Sequence, residues 1–267
     1  MPPALITDCG VATIGAGPVL TAVTAGTGST FTVRNAALQS GVWLTDAWRA
    51  SAHLGTIQIS SPNLVPVSNG ISLRVPTGLA SFSLYGPPYQ SLIPQDALTV
   101  SSNGTAADVD LVAIQSYYEN LPGGGMTLKS PGDIYGQCEF EFAWPITATS
   151  SATAGAQNST VITTTVDSST ANTWYAVVGY TVDTTIGCIG ISGVDTSQFF
   201  CGGPGDTAAY RTCRYFADLS ENLGKPAIPC WNSANKGNTN LVLADRAAST
   251  TVHASLILAQ MPGGWTP

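Results

Sequence analysis

The chain has 267 residues, of which 44% are hydrophobic and only 9% are Asp, Glu, Lys or Arg, against roughly 25% in an average soluble domain. Its formal net charge is −7 and its nine Lys and Arg residues are scattered, which excludes a nucleic-acid surface, because displacing counterions takes clustered cations. The length admits one large β-domain or two ordinary ones, and the surface left by so little charge is rich in Ser, Thr, Asn and Gly, easily desolvated against another copy of itself.

No segment reaches the roughly 18 uninterrupted apolar residues of a membrane span. The start, Met1-Pro-Pro-Ala-Leu-Ile-Thr-Asp-Cys9, has neither a basic nor an apolar leader region, so the expectation is a chain made in the cytosol. Residues 1–40 carry short apolar runs, Gly10–Gly15 and Phe31–Val33, between Gly-rich turns, as short strands would. Gly15-Ala-Gly17 is not a dinucleotide fingerprint: Leu20 stands where the third glycine belongs, and no helical pattern follows.

From Val42 to Val75 the pattern alternates, with Ile57/Ile59 and Ile71/Leu73/Val75 against polar neighbours, the signature of strands with one buried face. Ser68-Asn-Gly70 marks a turn, Tyr85–Tyr89 and Leu92–Asp96 a long loop, and Ala97–Ser101 with Val109–Tyr118 an antiparallel pair about Asn103-Gly104. Glu119–Gly125 is the best linker, and Met126–Pro145 a crossover with Phe140, Phe142 and Trp144 alternating along a strand. The Ser/Thr/Ala-rich run 147–158 suggests an exposed loop, and β-branched Val161–Val166 a strand.

The next stretch repeats an earlier one. Setting Trp174 on Trp43 lays Ile186-Gly-Cys-Ile-Gly-Ile-Ser192 on Leu54-Gly-Thr-Ile-Gln-Ile-Ser60 with one residue of slip. Further on, Lys225–Trp231 takes the place of Ser91–Gln95, and Thr250–Ala259 that of Val109–Tyr118. Three correspondences in one order indicate two related halves, 1–122 and 123–267. Between the first two, Cys201-Gly-Gly-Pro-Gly205 reads as a turn. A helix over about 207–223 follows, capped by Asp206 or Thr207, with Cys213, Phe216, Leu219 and Leu223 on one face and Gly224 as its stop.

Chemistry is sparse along the chain. His53 and His253 are embedded in strand patterns, without the spacing of a zinc site. Asp195-Thr-Ser197 resembles an aspartic-protease loop but lacks a good second copy, so loop capping is the expected role. No G-x-S-x-G elbow or P-loop occurs. Tyr85, Tyr89, Tyr117 and Tyr118 are candidates for stacking on sugars, with core or subunit contact the stronger reading. No catalytic residue, metal ligand or cofactor-binding residue is assigned, and the reading is non-enzymatic.

An all-β chain with two similar halves and so little charge resembles bacteriophage virion structural proteins, and the tandem Trp43/Trp174 halves resemble double jelly-roll capsid proteins. Val178–Asp183, Gly202–Gly205 and Ile228–Lys236 also resemble a pattern in phage structural proteins. The resemblance implies two tandem jelly-roll-like β-sandwiches related by internal duplication, the helix being an insertion in the second. It further implies self-association as a homotrimer, other capsid proteins as partners, and a virion location after assembly in the host cytoplasm. A decoration protein, a tail or spike component with a carbohydrate-binding surface, and a secreted polysaccharide-active enzyme stay open beside it. In a virion that leaves a reducing cytosol, Cys201, Cys213 and Cys230 are the thiols best placed to meet and cross-link, while the stronger competing reading makes all six cysteines small buried hydrophobes.

Overall fold

The computed structural model describes residues 2–25, 31–34, 41–61, 71–75, 90–91, 96–162 and 172–267. The turn at Ser68–Gly70 and the loop containing Tyr85 and Tyr89 lie outside them, as does most of the strand expected at Val161–Val166. The fold is all-β. In chain order the strands of the first half are β1 (Ala4–Ile14), β2 (Gly17–Ala22), β3 (Thr24–Ala25), β4 (Phe31–Thr32), β5 (Val42–Ala50), β6 (Gly55–Ser60), β7 (Ile71–Val75), β8 (Gln90–Ser91), β9 (Ala97–Gly104) and β10 (Asp108–Tyr118). The second half holds β11 (Leu128–Lys129), α1 (Pro131–Tyr135), β12 (Phe140–Thr149), β13 (Asn158–Val161), β14 (Trp174–Val182), β15 (Ile186–Ser192), β16 (Cys201–Gly205), α2 (Ala209–Thr212), α3 (Tyr215–Leu223), β17 (Ile228–Asn232), β18 (Asn240–Ala244) and β19 (Thr251–Gln260).

Two sheets form from each half, ordered β3-β1-β10-β5-β8 and β2-β9-β6-β7 in the first, and β11-β17-β14-β19-β12 and β13-β18-β15-β16 in the second. Setting aside the short β3, β4 and β11 leaves eight strands on each side among the described residues. Numbered from one to eight within a half, both halves read 1-8-3-6 in one sheet and 2-7-4-5 in the other. The repeated motif accounts for part of this likeness. Ile57 and Ile59 point into the first sandwich, as Ile189 and Ile191 do into the second, and all four are fully buried. A period of two sends their neighbours to the opposite face. A continuous apolar cluster runs through both sandwiches, from Ile6, Ile57 and Val112 to Ile189, Leu243 and Leu256.

Several elements differ from the sequence reading, each for a local reason. The helix expected over 207–223 is two helices, α2 and α3, broken at Cys213–Arg214, where Arg214 has φ −124° and ψ 21°. The break sits directly on β14: a Cβ on Gly179 would lie 2.4 Å from Thr212 O and 2.5 Å from Cys213 O, so backbone rests on backbone. Neither Asp206 nor Thr207 is the N-cap. Ala208 is, and the Asp206 carboxylate accepts its N–H at 2.9 Å. Gly224 stops α3 as expected, in the left-handed conformation with φ +61°. Phe216 and Leu219 face inward, and Phe216 meets Tyr180 edge-on at 6.1 Å.

Cys201–Gly205 is not a turn but the edge strand β16, paired with β15. Its glycines admit close neighbours, and Pro204, which lacks an N–H, is tolerated on an edge. The run 147–158 is shorter as a loop than expected, since β12 continues to Thr149 and β13 begins at Asn158. Helix α1, within the stretch read as a crossover, was not anticipated; Ser130 and Asp133 form a reciprocal capping box around Pro131 at its start. The linker Glu119–Gly125 is pinned: Leu121 is buried, Glu119 N–H donates to Gly41 O at 3.0 Å, and Gly125 N–H donates to Ser197 Oγ at 3.0 Å.

Candidate functional site

The most elaborate constellation of the chain is the junction between its sandwiches. Strands β1, β10 and β5 bury both faces, one against the first sandwich's own core and the other against β15, β16 and β18. On the second face Cys9, Trp48, Ala50, Leu111 and Ala113 pack with Cys188, Phe200, Val242 and Ala244. Trp48 is fully buried, and its Nε1–H donates to Gly187 O at 2.7 Å. Buried polar groups at such a seam must find partners. Gln115 Nε2 donates to Gly202 O at 2.7 Å, Thr7 Oγ1 donates to the same carbonyl at 2.7 Å, and Tyr215 OH donates to Asp46 Oδ2 at 3.0 Å. Thr7 N–H donates to Phe200 O at 2.9 Å, so β1 is tied by main chain to the opposite half.

Two ion pairs clasp the rim of this junction. Arg246 Nη1 meets Asp108 Oδ1 at 2.9 Å and Oδ2 at 3.1 Å, and Lys225 Nζ meets Glu119 Oε1 at 2.8 Å. Burial pushes the Asp108 carboxyl up, but the Ala52 and Val109 N–H groups, Arg246 and Ser51 outweigh it and hold the group below its ordinary value. The hydrogen bond from Lys225 likewise holds Glu119 low. Inside the first sandwich Arg49 and Asp110 form a fully buried pair at 2.6 Å. Ser102 Oγ donates to the same carboxylate oxygen, and Arg49 Nη1 donates to His53 O at 2.8 Å. That network fixes β5 against β9 and β10.

The residues singled out from the sequence are dispersed. Cys201 lies on β16 and Cys230 on β17, both fully buried, with burial pushing each thiol far above its ordinary range. Cys213 is half-buried at the end of α2, and all six cysteines are free thiols. Asp195 does cap a loop, accepting from Asn232 N–H at 3.1 Å and from Asn235 Nδ2 at 3.0 Å. His53 is in a bend after β5 rather than within a strand. His253 is exposed on β19, 3.0 Å from Thr147 Oγ1. Tyr117 and Tyr118 are buried, each with its hydroxyl pushed up to about 12 by burial, so neither offers a ring to a sugar. Among the described residues no three His, Cys, Asp or Glu side chains converge as a metal site, and no helix is long and apolar enough to cross a membrane. A surface depression of about 350 Å³ beside Leu54, Thr56, Asn103 and Thr105 is lined by uncharged groups alone.

Sequence reasoning missed two sheet faces that no described element covers. On β12 and β19, Thr147, Thr149, Thr251, His253 and Ser255 share one exposed or half-buried face, cross-linked by a Thr149–Thr251 hydrogen bond of 3.2 Å. On β6 and β9, Thr56, Gln58, Ser60, Thr99, Ser101 and Asn103 share another. The signal for both was the alternation of Thr and Ser with buried aliphatics. β12 is also the last strand of its sheet, ten residues long, with Phe140 half exposed at its start. Such an edge is a template for pairing unless something blunts or covers it; here Pro145 interrupts it.

No family model matches this chain, and no curated protein matches it. Among solved structures it is similar to the crystal structure of PBSX exported protein XepA, at 14% sequence identity over 96% of this chain and 86% of that one. The TM-score of that likeness is 0.28, too low to establish a common fold.

Proposed function

We propose that the chain is a non-enzymatic structural subunit of a bacteriophage virion that forms or decorates the capsid shell, and that it works through contacts between copies of itself. In this reading each sandwich is a jelly roll, and the two descend from one duplicated unit. The repeated 1-8-3-6 and 2-7-4-5 strand orders support it, being the arrangement of two interlocked Greek keys. The observation that carries the reading is the mating of faces within the chain. The outer face of β1-β10-β5 sits on the outer face of β15-β18, while no described element covers the equivalent faces, β12-β19 and β6-β9, which are almost uncharged. A second copy that joins this second pair repeats the internal junction head to tail, which closes a ring such as a homotrimer or extends an array.

Light scattering and negative-stain imaging of the purified protein at micromolar concentration test this directly. The expected result is a discrete oligomer, converted to a folded monomer by the double variant Thr147→Glu/Thr251→Glu. A wild-type monomer overturns the self-assembly reading. Specific binding on a glycan array moves the assignment to a tail or spike component.

A further inference from the structure

We propose that Cys9 and Cys188 are an oxidisable pair, and that a disulfide between them staples the two sandwiches together. Cys9 lies on β1 opposite Ala113, and Cys188 on β15 opposite Ala244. Both thiols project into the junction, within the cluster that holds Trp48, Phe200 and Val242, close enough for Cys9 to raise the pKa of Cys188 beyond the effect of burial. Among the described residues the Cys9 sulfur also has weak contacts, with Gly155 O and Gln157 Nε2 each 3.9 Å away.

Sheet spacing decides whether such a pair can close. Stacked sheets ordinarily pack about 10 Å apart, whereas a disulfide needs Cα atoms roughly 4.4–6.8 Å apart. Here the sheets are drawn together by small residues. A Cβ on Gly187 would lie 2.8 Å from the Leu111 side chain, and Ala113 and Ala244 flank the two cysteines. Cα atoms of β15 come within 8 Å of those of β5 and β10. The side chains most responsible for the close approach are those surrounding the thiols.

The chemistry is thiol–disulfide exchange with a low-molecular-weight disulfide as oxidant. Cys9 loses its proton and its sulfur attacks the small disulfide, forming a mixed disulfide and releasing one small thiolate. Cys188 then loses its proton and attacks the Cys9 sulfur, expelling the second small thiolate. Two protein thiols are oxidised by two electrons, the small disulfide is reduced to two thiols, and the two protons end on them. Neither sulfur is accessible in the closed junction: Cys9 is 4% exposed, Cys188 is 0% exposed, and burial holds the Cys188 thiol well above its ordinary range. The exchange therefore proceeds while the halves dock or when the junction opens, and the folded, reduced protein reacts slowly.

The test is refolding from denaturant in a glutathione redox buffer, followed by denaturation, alkylation of remaining thiols and mass spectrometry. The expected product carries four alkylated cysteines and one cross-link between residues 1–34 and residues 130–211. Trypsin leaves Cys138, Cys188 and Cys201 on the latter peptide, so a chymotryptic cut assigns the partner. The oxidised protein should unfold at a higher urea midpoint, and reductant should abolish the increase. Cys9→Ala should leave five alkylated cysteines and no change of midpoint on oxidation. Six alkylated cysteines from wild type that has regained its circular dichroism overturn the proposal, as does a link confined to Cys201, Cys213 and Cys230.

Discussion

Strands β6 and β15 occupy the same place in their sandwiches and carry the same motif, yet their outward faces have opposite fates. Gly55-Thr-Ile-Gln-Ile-Ser60 turns Thr56 and Gln58 to the surface. Gly187-Cys-Ile-Gly-Ile-Ser192 turns Cys188 and Gly190 into the junction. The inward isoleucines are interchangeable, so the difference lies wholly in two outward positions, where small residues replace a hydroxyl and an amide. A fold is set by the face that repeats, and the assembly of two such folds by the face that does not.

Exchanging these outward residues should break the comparison most sharply. Gly190→Gln copies the first half's residue into the second. A Cβ there would stand 2.1 Å from Cys201 O and 2.3 Å from the Gly202 Cα, atoms of paired main chain that cannot move aside. The expected loss is more than about 4 kcal/mol, at the extreme of what single substitutions cost. Urea unfolding followed by circular dichroism measures it, and a stable, unchanged protein would mean that β15 and β16 are not packed as described.

Trp48→Ala attacks the same junction from the first half. It removes a fully buried ring and leaves Gly187 O without its donor, at an expected cost of about 3–4 kcal/mol. Trp48→Phe keeps most of the volume and should recover more than half of that. The unfolding midpoints of both variants check the order.

The sandwiches themselves were legible because alternation of period two survives in the sequence. Ile57/Ile59, Ile189/Ile191 and the row Val252, Ala254, Leu256, Leu258 all face inward as that period requires. The junction was far less legible. Cys9, Thr7 and Gln115 show no local pattern that marks them as meeting Cys188 and Gly202, since the contacts join residues remote in sequence. One signal was available: Gly187, Gly190, Gly202 and Gly203 cluster in strands, and glycine inside a strand often marks close approach of another backbone. Cys201–Gly205 was read as a turn for the same residues. The split helix was hidden because Gly179, which the break rests on, belongs to a strand more than thirty residues upstream.

Acid should loosen the junction while leaving each sandwich's isoleucine core intact. Asp108 and Glu119 both have folded pKa values below their ordinary ones. Their contribution is therefore present above the unfolded values, about 3.9 and 4.3, and is lost as pH falls through the folded values beneath them. Asp8 acts in the opposite sense: burial, partly offset by Arg34, raises its pKa, so protonation relieves an unfavourable buried charge. Arg246→Ala separates the two effects. It should cost about 1 kcal/mol at neutral pH, as partly exposed ion pairs do, and the difference from wild type should shrink as pH falls below the unfolded value of about 3.9 and through the folded value beneath it. Urea titrations at a series of pH values from 7 downward measure it, and a difference that does not shrink with acid would remove Asp108 from the clasp.

Gln58→Gly is the mirror of the first substitution and should have the smallest effect. Gln58 stands on the bare face of β6 opposite Ser101, half-buried, with Thr56 and Ser60 beside it on the same strand. Removing its side chain creates no cavity in the core, because Ile57 and Ile59 fill the other face. What remains is the entropic cost of glycine in a strand, about 0.5 kcal/mol, together with the polar contact that Gln58 itself makes. In the isolated subunit the unfolding midpoint should therefore barely move, in contrast to Gly190→Gln at the equivalent position. The oligomeric state supplies the second half of the measurement. If a second copy covers this face, Gln58→Gly should alter the concentration at which subunits associate while leaving the midpoint of the isolated subunit in place. A loss of several kcal/mol in that subunit would show instead that Gln58 is already packed within its own chain, and the distinction between a covered and a bare face would fail.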